Sequence, residues 1–144
     1  MYIKQADLFR GVSMDFLKKV MQATRRESHP ANTQLFASGD PASWFYVLIN
    51  GRVELRSDPS DNQVFIGCNT GETFGCANLF GMDAYQVTAR CLTPTDLLKI
   101  DVVQHKRLLN RYITDGFVFY RNLTQILGKR LLHSYHRDVP SDAA

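Results

Sequence analysis

Residues 44–56 read WFYVLINGRVELR and carry the clearest strand pattern of this 144-residue chain. The apolar run over residues 44–49 is unbroken, which is typical of a strand buried on both faces. Asn50-Gly51 follows as a strong hairpin signal, because a type I′ turn needs positive φ at both of its central positions. Residues 53–56 then alternate between apolar and polar side chains, the period of a half-buried strand. The stretch therefore predicts two strands joined by a tight hairpin.

Further short strands are predicted after this stretch, within a β-rich region between about residues 26 and 101. They cover residues 63–68, 86–92 and 97–100, and turn-rich segments separate them. Strands at intervals of about 8–12 residues are typical of an antiparallel sandwich or barrel. Helices are predicted at both ends, because Ser13 and Asp101 are good N-caps and a long helical pattern begins near Thr114. The predicted fold class is mainly β with flanking helices.

The composition is that of an ordinary globular domain. Hydrophobic residues make up 44% of the chain and charged residues 22%, and no segment approaches the ~20 apolar residues of a membrane-spanning helix. The N-terminus is too polar for a secretory signal. Three widely spaced cysteines are odd in number, which indicates a reducing compartment rather than a disulfide framework. We therefore expect a cytoplasmic protein that does not enter a membrane.

Charge and histidine placement exclude several classes of function. The net charge of +3 is spread along the chain, whereas a nucleic-acid binder concentrates Lys and Arg on one face. The four histidines offer only one close pair, His133 and His136, so neither a metal site nor a haem site is predicted. No catalytic triad or carboxylate pair stands out by spacing. We expect no nucleic-acid binding by this chain alone, no cofactor and no enzyme activity.

Residues 71–80, GETFGCANLF, are the candidate binding segment. Gly71 and Gly75 permit tight backbone turns, and a short helix is predicted directly after Gly75. The free N–H groups at a helix start bind anions, helped by the positive end of the helix dipole. The two glycines are equally compatible with simple turns between strands.

The order of these signals resembles the cyclic nucleotide-binding domain of the catabolite activator family. The resemblance runs from about Leu8 to Tyr135 and is strongest at residues 39–53, 71–75 and 88–100. It implies an eight-stranded antiparallel β-roll, a jelly-roll-like barrel with N-terminal helices and a long C-terminal helix over the ligand. The domain would cover residues 1–137, and residues 138–144 would form a disordered tail. The positions that the resemblance assigns to the ligand are Gly71, Glu72, Phe74, Gly75, Cys76, Ala77, Tyr85, Gln86 and Ser134.

Two of these positions depart from the family pattern. Cys76 stands where the resemblance calls for a glutamate that holds the ribose 2′-hydroxyl, and Tyr85 replaces the arginine that pairs with the cyclic phosphate. A lost charge pair costs about 2–5 kcal/mol, out of about 8 kcal/mol for a micromolar ligand. Cyclic AMP is therefore expected to bind weakly or not at all. The predicted function is a regulatory domain that binds a small anionic molecule, or a cyclic nucleotide held in a different way.

Alternatives stay open at three places. Tyr85 could stack on a ligand ring or fill the space of the missing arginine. Cys76 at a helix start would have a lowered pKa and could sense oxidants, or it could be a small buried hydrophobe. The helical stripe Phe119, Leu123, Leu127, Leu131 and Tyr135 is a dimer seam by resemblance, or core packing against the barrel. We predict a homodimer through this helix, with a ligand-free dimerisation or protein-interaction module as the alternative function. We expect no helix-turn-helix like that of the family's transcription factors to follow this helix.

Overall fold

The computed structural model describes residues 6–57, 64–67 and 69–138. Within them lie eight strands and three α-helices. The strands are β1 (Thr24–His29), β2 (Gln34–Phe36), β3 (Trp44–Asn50), β4 (Val53–Arg56), β5 (Val64–Gly67), β6 (Thr73–Phe74), β7 (Thr88–Cys91) and β8 (Thr95–Asp101). The helices are α1 (Met14–Gln22), α2 (Val102–Arg111) and α3 (Ile113–Asp138), with 3-10 helices at Asp7–Phe9 and Ala77–Phe80. The predicted mainly β fold with flanking helices is confirmed.

The strands form two four-stranded sheets in which every pairing is antiparallel. The first sheet has the order β1-β8-β3-β6 and the second the order β2-β7-β4-β5. Strand β8 is one of the two central strands of the first sheet, since it pairs with β1 on one side and with β3 on the other. This is the predicted β-roll.

Strand β3 is apolar from residue 44 to residue 49 because it separates two hydrophobic cores. Tyr46 and Leu48 point into the core between the sheets. The alternate residues Phe45, Val47 and Ile49 belong to the second core, under the helices. Side chains of a strand alternate between its faces, so burial on both faces requires the unbroken apolar run that the sequence shows.

The predicted hairpin at Asn50-Gly51 is wrong. Strand β3 pairs with β8 and β6, whereas β4 pairs with β5 and β7 in the other sheet. Asn50 is the last residue of β3 and does not take positive φ; Gly51 alone does, with φ +116°. A Cβ on Gly51 would lie 2.6 Å from Oγ1 of Thr95. The glycine is needed for a corner between sheets, where the chain passes close to the start of β8.

Both predicted helix caps are present. The Ser13 hydroxyl accepts a hydrogen bond from the Phe16 amide, and the Asp101 carboxylate accepts one from the Gln104 amide. Ser13 also donates from its amide and its hydroxyl to the two carboxylate oxygens of Asp115, each at 2.7 Å. The Ser13 contacts therefore begin α1 and join it to the start of α3.

The apolar stripe of α3 divides into two halves. Phe119 and Leu123 are buried in the core under the helices, and Leu127 packs against the same core. Leu131 and Tyr135 are more than half exposed. The first half of the stripe is thus covered by the chain's own core, whereas Leu131 and Tyr135 remain uncovered, as do Ile113 and Phe117 elsewhere on α3. Residues 139–144 of the expected tail lie outside the described residues.

His105 on α2 is buried in the core under the helices. Neither ring nitrogen has a hydrogen-bond partner within the described residues, and burial lowers the pKa of His105 to about 3. Four phenylalanine rings surround it at centroid distances of 5.7, 5.9, 5.0 and 4.6 Å, from Phe9, Phe16, Phe45 and Phe119 respectively. The histidine is therefore a neutral core residue.

Candidate functional site

The candidate segment, residues 71–80, is held against strand β3 by backbone hydrogen bonds. The Gly71 amide donates to the Leu48 carbonyl at 2.7 Å, and the Leu48 amide donates to the Glu72 carbonyl at 2.8 Å. Strand β6 then continues the pairing opposite Tyr46 and Val47. The segment thus has a fixed position at the edge of the first sheet.

Gly75 takes a conformation and a position that suit only glycine. Its φ is +73°, and a Cβ there would lie 2.9 Å from the Tyr46 ring and 3.3 Å from the Phe36 ring. The backbone of the candidate segment therefore lies directly on aromatic side chains of the core between the sheets.

Tyr85 hydrogen-bonds to the part of the β3 edge that β6 does not reach. Its hydroxyl donates to the Trp44 carbonyl at 2.6 Å and accepts from the Trp44 amide at 3.2 Å. Because β6 pairs only with Tyr46 and Val47, the hydroxyl serves as the partner that Trp44 would otherwise need on this side. Tyr85 is 3% exposed, and burial raises its pKa.

A column of four aromatic rings fills the space between the sheets next to the candidate segment. Tyr85 stacks on Phe36 at a centroid distance of 3.8 Å, and Phe36 lies 5.7 Å from Tyr46. Tyr46 in turn stacks on Phe74 at 5.0 Å, with the two planes only 8° apart. Tyr85 is therefore part of the core, and it is not available to stack on a ligand ring in this conformation.

Cys76 differs from the reactive thiol that a helix start predicts. The helix that follows it is a 3-10 helix of four residues, and Cys76 is 7% exposed within the core under the helices. Burial raises the pKa of the Cys76 thiol to about 12, and the opposing influence of the Arg130 guanidinium is smaller. The shift is opposite in direction to the lowered pKa that a thiol sensor needs.

The structure brings together only some of the other predicted site residues. Phe74, Ala77 and Tyr85 share the core between the sheets. Gln86 is exposed, and its side-chain amide donates to the Ala84 carbonyl at 3.0 Å. The side chain of Ser134 lies outside the described part of the chain.

A pocket of about 310 Å³ lies between the first 3-10 helix, strand β6 and helix α3. Of the predicted site residues, Glu72 alone lines it. The other lining residues are Asp7, Arg10, Thr73, Asn122, Gln125, Ile126, Lys129, Arg130 and His133. Sequence reasoning missed this pocket, although Gln125, Lys129 and His133 recur every four residues and so predict one polar face of the helix.

The family model for the cyclic nucleotide-binding domain matches residues 26–112, which is more than half of the chain. This chain belongs to the cyclic nucleotide-binding domain family. The match covers β1 to α2, including the candidate segment and Tyr85.

Proteins similar to this cyclic nucleotide-binding domain include a potassium channel, the sensor domain of a transcriptional regulator and a catabolite activator protein. The potassium channel AKT1 of Oryza sativa subsp. indica is 24% identical over 126 residues; the match covers 87% of this chain but 14% of the channel. The sensor domain of the transcriptional regulator DNR from Pseudomonas aeruginosa has a TM-score of 0.72 at 25% identity, covering 90% of this chain and 89% of that one. Thermus thermophilus catabolite activator protein has a TM-score of 0.71 at 21% identity, covering 92% and 61%. The chain thus spans about one seventh of the curated channel it matches.

Two features are absent from the described residues of this cyclic nucleotide-binding domain. No helix within the described ranges is both long and apolar enough to cross a membrane. Among the same residues, no group of three or more His, Cys, Asp or Glu side chains is placed to hold a metal ion.

Proposed function

We propose that this chain is a non-catalytic regulatory domain whose phosphate cradle, the site around Gly75, Cys76 and Tyr85, is closed by its own side chains. It senses a small anionic molecule and does not bind cyclic AMP with ordinary affinity. One observation carries the proposal: Tyr85, at the position of the phosphate-binding arginine, is hydrogen-bonded to both backbone polar groups of Trp44 and stacked on Phe36. Its cytosolic location stays a prediction from cysteine content.

Opening the cradle would require Tyr85 to leave the core. Exposing a large apolar side chain costs about 1.5–3 kcal/mol, and each lost hydrogen bond costs about 0.5–1.5 kcal/mol. Ligand affinity falls in proportion to the small fraction of molecules in the open state. Cys76 adds no compensating contact, because a neutral buried thiol cannot accept a hydrogen bond from a ribose hydroxyl as strongly as a carboxylate does. These costs support the expectation that cyclic AMP binds poorly.

Calorimetric titration with cyclic AMP and cyclic GMP tests the proposal. The wild-type chain should show no micromolar binding of either nucleotide. The double variant Cys76→Glu with Tyr85→Arg should gain more affinity for cyclic AMP than either single variant, because the two residues hold opposite ends of one ligand. Met21→Arg adds the same charge at an exposed position on α1 and should gain nothing. Micromolar binding of cyclic AMP by the wild-type chain would overturn the proposal.

A second candidate function is a dimerisation or docking module that acts through α3. The observation that favours it is the uncovered apolar surface of the last helical turns, where Leu131, Leu132 and Tyr135 are each more than half exposed. Burying a leucine contributes about 1.5–3 kcal/mol, so several such contacts offset much of the cost of association. Sedimentation of the wild-type chain should then show a dimer that Leu131→Asp converts to a monomer. Met21→Asp, an exposed apolar residue on α1, is the matched control and should leave the dimer intact.

The third hypothesis, a redox sensor at Cys76, loses support. A thiol that is buried and has a pKa of about 12 is neutral at cellular pH, whereas oxidant sensing requires an accessible thiolate.

A further inference from the structure

We infer that the pocket between the first 3-10 helix, strand β6 and helix α3 binds a small phosphorylated polyol. The inference rests on the proposed sensing of a small anionic molecule and names the site and the class of ligand. The pocket is separate from the family's phosphate cradle, since neither Gly75 nor Cys76 nor Tyr85 lines it. A volume of about 310 Å³ is at the lower end of the range for small-molecule sites.

The pocket offers cationic groups for a phosphate. Lys129 and Arg130 lie on α3 with the imidazole of His133 one turn further along, and Arg10 approaches from the N-terminal side, where its guanidinium is paired with the Asp7 carboxylate at 3.1 Å. Arg130 is already oriented, because its guanidinium donates to the Thr73 carbonyl. Charged donors that converge on a concave site are the usual means of binding a phosphate group.

Thr73 supplies the independent sign of a ligand. It is 2% exposed, and its hydroxyl has no hydrogen-bond partner among the described residues. Successive residues of a strand point to opposite faces, and Phe74 points into the core between the sheets. The Thr73 hydroxyl therefore lies on the α3 side, at the wall of the pocket. A buried hydroxyl without a hydrogen-bond partner is unfavourable unless a bound ligand supplies that partner.

Glu72 presents a second incomplete group on the same wall. One of its carboxylate oxygens, Oε1, accepts from the Asn69 side chain at 2.6 Å, whereas Oε2 is buried with no partner among the described residues. A buried carboxylate oxygen needs a hydrogen-bond donor, and its negative charge repels a phosphate group. The ligand must therefore carry hydroxyl groups toward Glu72 and Thr73 and its phosphate toward the cationic side chains, which is the pattern of a sugar phosphate.

Asn122 keeps the opposite wall in place. Its side-chain amide donates to the carbonyls of Leu8 and Arg10 at 2.9 and 2.8 Å, so the first 3-10 helix is fixed to α3. A pocket whose walls are held in place before binding loses less conformational entropy when the ligand enters.

Calorimetric titration of the full chain with ribose 5-phosphate, inorganic phosphate and ribose tests the inference. Ribose 5-phosphate should bind saturably, with a Kd below about 1 mM, and at least about tenfold more tightly than inorganic phosphate or ribose alone. Equal affinity for inorganic phosphate would overturn the inference in favour of a simple anion site. Absence of saturable binding up to about 10 mM would also overturn it.

Three variants locate the site. Lys129→Gln should weaken binding of ribose 5-phosphate by about tenfold or more, whereas Lys18→Gln, which removes the same charge from exposed α1, should leave it unchanged. Thr73→Val should weaken binding yet leave the chain at least as stable, because it removes an unpaired buried hydroxyl. Full affinity in both Lys129→Gln and Thr73→Val would overturn the placement of the site. Micromolar cyclic AMP binding that survives Lys129→Gln would instead be a failure of the proposed function.

Discussion

The Tyr85 hydroxyl bonds to both the amide and the carbonyl of Trp44, so a side chain takes the place of a neighbouring strand. Strand β6 is only two residues long and leaves this part of the β3 edge uncovered. The backbone N–H and C=O groups of a strand edge that lies in the core need hydrogen-bond partners. The position that the family resemblance assigns to the ligand is here held by a structural side chain, which supports the proposal that the cradle is closed.

Tyr85→Phe should therefore destabilise the fold. The variant keeps the ring on Phe36 but leaves the two polar groups of Trp44 without their partner, which costs about 1–3 kcal/mol. The midpoint of urea unfolding, followed by circular dichroism, measures the loss. Tyr135→Phe removes an exposed hydroxyl and should change stability by less than about 0.5 kcal/mol. Equal stability of Tyr85→Phe and wild type would contradict the structural role of the hydroxyl.

Cys76 should be unreactive in the native chain. With a pKa of about 12 against 9.0 for a free thiol, its thiolate fraction at pH 8 is lower by about a thousandfold. Iodoacetamide labelling followed by peptide mass spectrometry should show slow modification of Cys76 in buffer and rapid modification in urea. The same shift predicts that stability is retained below about pH 9 and falls as the pH rises above it, because the unfolded thiol ionises first. Equal labelling rates in the two states would restore the sensor hypothesis.

His105 should make the fold sensitive to acid. The pKa of His105 is about 3 in the native chain against 6.5 for a free side chain, so the unfolded state takes up the proton first as the pH falls. The free energy of unfolding is greatest above about pH 6.5 and decreases below it, by up to about 1.4 kcal/mol per pH unit. Unfolding by urea at a series of pH values measures this slope. His105→Leu should reduce it strongly, whereas exposed His133→Gln should retain it; an unchanged slope in His105→Leu would contradict the assignment.

Alanine variants of Gly51 and Gly39 distinguish the cost of backbone strain from the cost of steric overlap. Both have positive φ, +116° and +95°, but a Cβ on Gly39 meets no atom within 4 Å, whereas one on Gly51 meets Thr95 and Pro94. Gly39→Ala should cost about 1–2 kcal/mol from strain alone. Gly51→Ala should cost at least about 1 kcal/mol more, because β8 must shift to admit the methyl group. Urea unfolding of the two variants gives the comparison, and equal losses would show that the overlap is relieved without cost.

The elements of the fold could be predicted because they depend on neighbouring residues. An apolar run indicates a strand buried on both faces, as in β3, and the side chains of Ser13 and Asp101 cap the helices that follow them. The family resemblance picked out residues 71–80 as the candidate segment, although not the strand that they would meet. It also identified Tyr85 as the residue that departs from the pattern, although two roles for it remained open.

Sequence could not determine which distant segments meet. Asn50-Gly51 is compatible with a hairpin or a corner, and the choice depends on β8, which begins more than forty residues later and pairs with β3. Whether Tyr85 faces a ligand or Phe36 likewise depends on an edge of β3 that a short β6 leaves open. Three segments that packing brings together line the pocket, and none of them indicates a binding site on its own. Local pattern thus determined the helices and strands, whereas long-range packing determined which polar groups were satisfied internally and which were left for a ligand.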